Sequence, residues 1–459
     1  MAVVSDVRPV VTLVPTDRHA EVGPTLESPV PQNLSFLDQL GLWGNLGVSL
    51  LGFTGAIYVL EPLTGAPPLS LAAGLVAIVV GTVLGTLILS ATAVPSARTG
   101  MSAMMLLRGL FGGRLSYVPT VLNILQCVGW GTFEIVTIAG ATHTVADWAP
   151  RWACVLVAGV LTTVLTVRPL GAIRVLRKYV TVLMVASVLY LLVQLLREPL
   201  PPLGRGTWTG FLPAVDTVIA VAVSFVPLAG DYTRHARSAR GAFLGSFAGY
   251  GVTQILCYGL GLLTLVTVAH DDPTRIYGAF IAVPVGWLAF AVLALRELDQ
   301  SFANVYSTAV SVQNLRPRWD RRLLALVIGV GTTVTALLTG LGSYENFLDL
   351  LGSVFIPLAG VLLVDYFWLT GQSWDYREDS PARWSRLVPW VAGFVAYQLV
   401  NPGGISWWVS AWTHVDSAIA FTPPSWLSAS IFSFAVAAAL TPLVAGSALL
   451  WHRRAATAV

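Results

Sequence analysis

The stretch VAVSFVPLAGDYTRHARSAR, residues 221–240, decides how this chain is read. Its first half is apolar yet carries Ser224, Pro227 and Gly230, and its second half turns abruptly basic, with Asp231 beside Arg234, Arg237 and Arg240. Proline has no amide hydrogen and cannot close the helical bond four residues back, so carbonyls near Val223 lose their ordinary partner. In water such a defect is easily hydrated. In a bilayer it survives only where protein or a cavity supplies new partners. The medium around the stretch therefore sets its meaning.

Composition selects the bilayer. Of 459 residues, 55% are hydrophobic and 11% charged, whereas a typical soluble domain is about 25% charged. A larger soluble fold would still need a solvated exterior, so size does not explain the deficit. Apolar runs follow one another at 39–60, 69–94, 117–142, 150–167, 179–196, 211–229, 242–269, 281–312, 323–342, 347–369, 387–400 and 427–451. About 20 helical residues span a hydrocarbon core, and the runs are taken as twelve spans. Eleven or thirteen stay open, because 387–400 is short and 402–426 has room for an interfacial segment. With the N-terminus inside, 21 of the 26 Lys and Arg residues fall in cytoplasmic segments; Arg151, Arg197, Arg205 and Arg275 lie outside and Arg296 within a span. That asymmetry predicts a multi-pass protein of the plasma (inner) membrane with both termini cytoplasmic. Topology thus accounts for the basic loops without nucleic acid as a partner.

Chemistry-bearing motifs are absent. Cys127, Cys154 and Cys257 sit singly in apolar runs, and the six histidines are scattered. They form neither a disulfide framework nor a metal site. No HExxH, phosphate-binding glycine loop, GxSxG elbow or dinucleotide fingerprint occurs, so an enzyme is not expected, nor any cofactor. Residues 1–34 are polar and proline-containing, as a flexible cytoplasmic tail would be.

Two spans carry the marks of interrupted helices. The first reads GLWGNLGVSLLGFTG (41–55), with Gly47 and Gly52 at its middle; the sixth carries Ser224 and Pro227. Interrupted helices expose backbone ends that bind ions or polar substrates at mid-membrane. Because the two open spans 1–5 (35–200) and 6–10 (201–372), an odd number of spans inverts one copy relative to the other. The expectation is an all-α membrane protein with a five-plus-five inverted repeat and two further helices in 373–459. Close packing or a simple kink is the competing explanation for Gly47, Gly52 and Pro227.

Polar residues gather at the same depth. In span three, Asn123, Gln126, Trp130 and Glu134 are spaced 3, 4 and 4 and form one stripe. A carboxylate facing lipid is expensive, so the stripe faces protein or water. Trp130 can stack on a planar ring, and Gln126 or Glu134 can hydrogen-bond its edge; a structural polar network beside a packed aromatic is the alternative. Span eight carries Arg296, Glu297, Asp299, Gln300, Asn304, Ser307 and Ser311. Asp299 suits a monovalent cation or a proton, or else pairs with Arg296 three residues away.

Three segments carry a family resemblance. FVPLAGDYTRH (225–235), FANVYSTAVSVQNL (302–315) and LGSVFIPLAGVLLVDYF (351–367) resemble the nucleobase–cation symporter-1 family of cytosine, purine, allantoin and hydantoin permeases. The resemblance implies the LeuT-like inverted-repeat fold, alternating access, and import of a planar nitrogenous heterocycle, cytosine or a purine first, with Na⁺ or H⁺. It places the family's Trp–x–x–x–Gln pair on Trp130 and Glu134, where glutamate departs from the amide. It places the aromatic of span six on Phe225 and the polar contacts of span eight on Gln300 and Asn304. A sodium site would use carbonyls near Gly47 and Val48 with oxygens near Asp299. The rivals are an amino-acid or amine transporter of the same fold and a non-transporting membrane receptor; nothing in the sequence sets an oligomeric state.

Overall fold

In a computed structural model of the protein, residues 30–63, 66–146, 148–167, 170–268, 276–424 and 426–457 are described. Every apolar run has become helix. The first run is α1 (Phe36–Leu46) and α2 (Leu50–Leu60); then follow α3 (Leu71–Thr99), the short connector α4 (Ala103–Phe111), α5 (Tyr117–Val145), α6 (Arg151–Val167) and α7 (Leu170–Leu195). The sixth run is α8 (Phe211–Val223) and α9 (Val226–Thr233), followed by α10 (Ala239–Thr267), the short α11 (Ile276–Ala282), α12 (Gly286–Leu315), α13 (Arg321–Leu338) and α14 (Tyr344–Val364). The last three are α15 (Trp384–Val400), α16 (Ser406–Ile419) and α17 (Ala429–Thr457). No strand occurs among the described residues, only two isolated bridges, Leu34 with Ala236 and Leu69 with Thr207. Helix α16 contains no buried residue and occupies the segment where an interfacial element is expected.

Six described helices, or seven with the bent α1/α2 pair, are long and apolar enough to cross a membrane on composition alone. The remaining runs are shorter or, like α12, interrupted by charge. They rely on neighbours, as expected for helices that line a polar interior. Serines set many boundaries: Ser35 forms a reciprocal cap with Asp38, and Ser49, Ser70 and Ser238 each accept an amide from the first turn they precede. Close helix approach depends on absent side chains. A Cβ at Gly81 of α3 would lie 2.7 Å from Val218 Cβ, and one at Gly85 would lie 2.8 Å from Ala222 Cβ, so α8 can run directly against α3.

The two interruptions differ. Between α1 and α2 the axis turns by 61° over Gly47, Val48 and Ser49. Between α8 and α9 only Ser224 and Phe225 intervene, both in right-handed backbone, and Phe211–Thr233 runs as one span. Pro227 lies in the first turn of α9, where an amide hydrogen would have no helical partner, so it starts a segment instead of bending one. Gly52, expected at the first interruption, lies within α2; its missing Cβ admits Cys257 of α10, whose Cβ would stand 3.3 Å away.

The basic end of the opening stretch is a clamp. Asp231 accepts the amide of Ala103 at 3.0 Å, the Tyr232 hydroxyl donates to Ala303 O at 2.9 Å, and Arg234 donates to the Tyr306 hydroxyl at 3.1 Å. These bonds tie α9 to α4 and α12. At the same end, Arg108 donates to Asn314 and Glu378, and Arg383 and Arg386 both meet the buried Asp365.

Candidate functional site

Helix α12 supplies both ends of the first interruption with what they lack. The last turn of α1 has carbonyls without helical donors, the negative end of a helix dipole. Arg296 Nη2 donates to Asn45 O, and the Gln300 amide donates to Leu46 O at 2.5 Å and Val48 O at 3.1 Å. The first turn of α2 has amides without acceptors, the positive end. There Glu297 accepts from Leu50 N and, at 3.4 Å, from the Ser49 hydroxyl. The sixth-span interruption is braced by the opposite half of the chain. Gln126 of α5 donates to Ser224 O at 2.9 Å and to Asn123 Oδ1 at 2.9 Å. So α12 holds the break in span one, and α5 holds the break in span six.

Between these braces lies a narrow cavity lined by residues of six spans, the first, third, sixth, seventh, eighth and tenth. Trp130 and Phe225 form aromatic walls. Trp130 meets Tyr344 and Phe347 edge-on at 5.9 and 5.4 Å; Phe225 meets Trp43 and Tyr250 edge-on at 6.2 and 5.1 Å. Glu134, Gln300, Asn304 and Gly47 also line the space. Five lining side chains carry a buried polar atom with no partner among the described residues: Trp130 Nε1, Glu134 Oε2, Gln254 Oε1, Tyr258 Oη and Tyr344 Oη. Buried polar atoms in native proteins are almost always satisfied. Five unsatisfied ones around one aromatic-walled space make a surface complementary to a small, flat, polar molecule.

Trp130, Glu134, Phe225, Gln300, Asn304 and Gly47 are thus brought together. Gln126 is not; its amide is turned to the Ser224 carbonyl and it lies outside the cavity wall. Ser224 is buried at the interruption, its hydroxyl donating to Val221 O at 2.7 Å, and Pro227 faces a second, separate pocket. Val48 is buried and offers its carbonyl to Gln300. The side chain of Asp299 lies outside the described residues. Glu297, two residues before it, reaches span one.

Sequence reasoning missed span seven and span ten. Tyr250, Gln254, Cys257 and Tyr258 of α10 and Tyr344 of α14 all line the cavity. The 4, 3 and 1 spacing in YGVTQILCY (250–258) was a helical stripe available to inspection. Tyr344 opens its helix and carried no such signal.

Comparisons with known proteins bear on the family and the fold. The family described as permeases for cytosine/purines, uracil, thiamine and allantoin matches residues 57–375. Purine-cytosine permease FCY2 of Saccharomyces cerevisiae is 22% identical over 399 residues, covering 79% of this chain and 73% of the relative. Purine-uracil permease NCS1 of Arabidopsis thaliana is 25% identical over 394 residues, covering 74% and 62%. Mhp1, a nucleobase-cation-symport-1 family transporter solved in a closed conformation with bromovinylhydantoin bound, superimposes with a TM-score of 0.69 at 16% identity, over 93% of this chain and 96% of that one. That likeness establishes the fold, an all-α membrane transporter of the LeuT-like type. Since the family match extends over well more than half of its length, the chain belongs to the permeases for cytosine/purines, uracil, thiamine and allantoin, the nucleobase–cation symporter-1 family.

Proposed function

We propose that the chain carries a planar nucleobase-type heterocycle inward across the membrane by alternating access, in symport with a cation. The observation that carries this reading is the set of five unsatisfied polar atoms around a cavity walled by Trp130 and Phe225. The ring stacks between the two aromatics. Its edge is read by Glu134, Asn304, Gln254 and the two tyrosine hydroxyls, which between them offer donors and acceptors. Cytosine and purines, each with adjacent donors and acceptors on a flat ring, suit that set. The two halves, 35–200 and 201–372, act as the inverted repeats that rock about the cavity, and the concentration of Arg and Lys in alternate loops orients both termini to the cytoplasm.

The amino-acid alternative meets an obstacle in the first interruption. An α-carboxylate docks best at a helix N-terminus, and here the N-terminus of α2 already receives Glu297. A neutral ring avoids that competition. Uptake into reconstituted vesicles tests the reading, with labelled cytosine, adenine, hypoxanthine, uracil, allantoin and hydantoin, and with free amino acids as competitors. Accumulation of at least one planar ring, undiminished by amino acids, is the expected result. Amino-acid competition, or binding without any accumulation, overturns it.

A further inference from the structure

The two interruptions are braced by the same residue type from the same place in the chain. Gln126 lies in span three, the third of the first half, and Gln300 in span eight, the third of the second. Each sends its amide to the break that opens the other half. Gln126 donates to Ser224 O at 2.9 Å, and Gln300 to Leu46 O at 2.5 Å and Val48 O at 3.1 Å. The step along the chain from Gln126 to Gln300 equals that from Val48 to Ser224 to within two residues, the offset expected of a repeated unit. At the same step Arg296 and Glu297 fall against Leu122 and Asn123. The glutamines are therefore the part of the bracing that the two halves share.

The two are unequally engaged. A side-chain amide nitrogen has two hydrogens to donate. Gln300 places both on span one, on carbonyls either side of Gly47, and that span turns by 61°. Gln126 places one on Ser224 and the other on Asn123 Oδ1 of its own helix at 2.9 Å, and Phe211–Thr233 runs as one span. The bent break receives two bonds from the glutamine of the opposite half, and the straighter break receives one.

We infer that Gln126 and Gln300 are matched positioning residues that set which way the cavity faces. This rests on the proposed alternating access of two inverted halves, and not on which ring is carried. Inverted halves reach the opposite facing by exchanging shapes. Span six then bends, and Gln126 leaves Asn123 for a second carbonyl of that span; span one straightens, and Gln300 gives up one carbonyl. Each glutamine thus favours, by one hydrogen bond, the state in which the span it braces is bent. The two pull in opposite senses. One net hydrogen bond amounts to about 2- to 12-fold in the equilibrium between facings.

Two measurements on the full chain test it, using Gln126→Leu, Gln300→Leu and the double variant. The first is influx and efflux of labelled cytosine or hypoxanthine in vesicles, read as the ratio of half-saturation concentrations on the two faces. A changed population of facings alters apparent affinity on each face in opposite ways. The ratio is expected to move about 2- to 12-fold, in opposite directions in the single variants. It should return to within about twofold of native in the double variant. Loss of a contact to the ring alone changes both constants alike, and loss of stability alone lowers rates without moving the ratio. A ratio that stays fixed, or moves the same way in both, overturns the inference. Gln126→Asn and Gln300→Asn keep an amide of shorter reach and should give the same signs where a leucine variant does not fold. The second measurement needs no substrate. Cys257 lines the cavity, and Cys127 and Cys154 do not. Labelling of Cys257 by a membrane-impermeant maleimide, in cells against inside-out vesicles, reports the face from which the cavity is reached. The outside-to-inside labelling ratio should shift oppositely in the two single variants, and an unchanged ratio overturns the inference. If native protein carries neither base, the substrate reading falls, and Cys257 labelling still decides the role of the glutamines.

Discussion

Trp130→Ala is the most informative single change in the cavity wall. The indole is 6% exposed, meets Tyr344 and Phe347 in edge-on contacts and lines the cavity. Stacking of a base on an aromatic ring is worth about 1–3 kcal/mol. At 1.4 kcal/mol per decade, losing it raises Kd about 5- to 150-fold. Trp130→Phe keeps a ring but removes the unsatisfied Nε1 donor, so its loss should fall between the native protein and the alanine variant. The two edge contacts contribute about 0.5–1.5 kcal/mol each to the fold, so a lowered unfolding midpoint is expected in the alanine variant and must be measured separately. Calorimetric titration of cytosine and hypoxanthine into detergent-purified protein reads Kd, and size-exclusion elution checks the fold. If folded Trp130→Ala binds both bases within about twofold of native, far below that stacking range, the stacking argument is wrong.

Three further outcomes are expected. Gln126→Leu strands the Ser224 carbonyl and should lower stability by about 1–3 kcal/mol; thermal unfolding should fall while the preference among bases, read by competition, stays the same. Gly47→Ala places a Cβ 2.8 Å from the Tyr250 carbonyl oxygen; overpacking of this kind costs about 1–3 kcal/mol, and uptake in vesicles should fall about tenfold or more. His235, beyond the end of α9, contacts Pro31 O; burial, then the Arg234 charge, pushes its pKa down to about 3. The unfolded chain therefore binds this proton at higher pH than the folded one, and stability falls as pH drops from about 6.5 toward 3. Limited proteolysis of the N-terminal segment across that range should show increasing cleavage, and His235→Gln should flatten the response.

Much of the bundle was readable from hydrophobic runs, since the bilayer forces long apolar helices. The broken first span was readable because glycine and asparagine interrupt it where an unbroken helix would need none. Stripe spacing grouped Trp130 with Glu134 and Gln300 with Asn304, and all four line the cavity. It also grouped Gln126 with them, because spacing along one helix says which residues share a face and not which neighbour stands opposite. Spacing alone also left one partner of Arg296 unannounced: beside the intrahelical pairing offered by Asp299, whose side chain lies outside the described residues, it reaches a carbonyl on α1. Partners about 250 residues apart are set by packing of the whole bundle, and no local pattern announces them. Tyr250 and Tyr344 escaped for a related reason: buried tyrosines in apolar helices look like core until the facing walls are known.

The crossed bracing has a consequence for biogenesis. Ser224 finds its brace in Gln126, synthesised 98 residues earlier and already inserted when span six arrives. The Leu46 and Val48 carbonyls must wait for Gln300, made some 250 residues later. For most of translation the bent first span sits in the membrane with bare carbonyls, in need of water, lipid headgroups or the insertion machinery. Its final shape is set only when span eight enters, so the nascent chain cannot complete its first half before most of the second has been made.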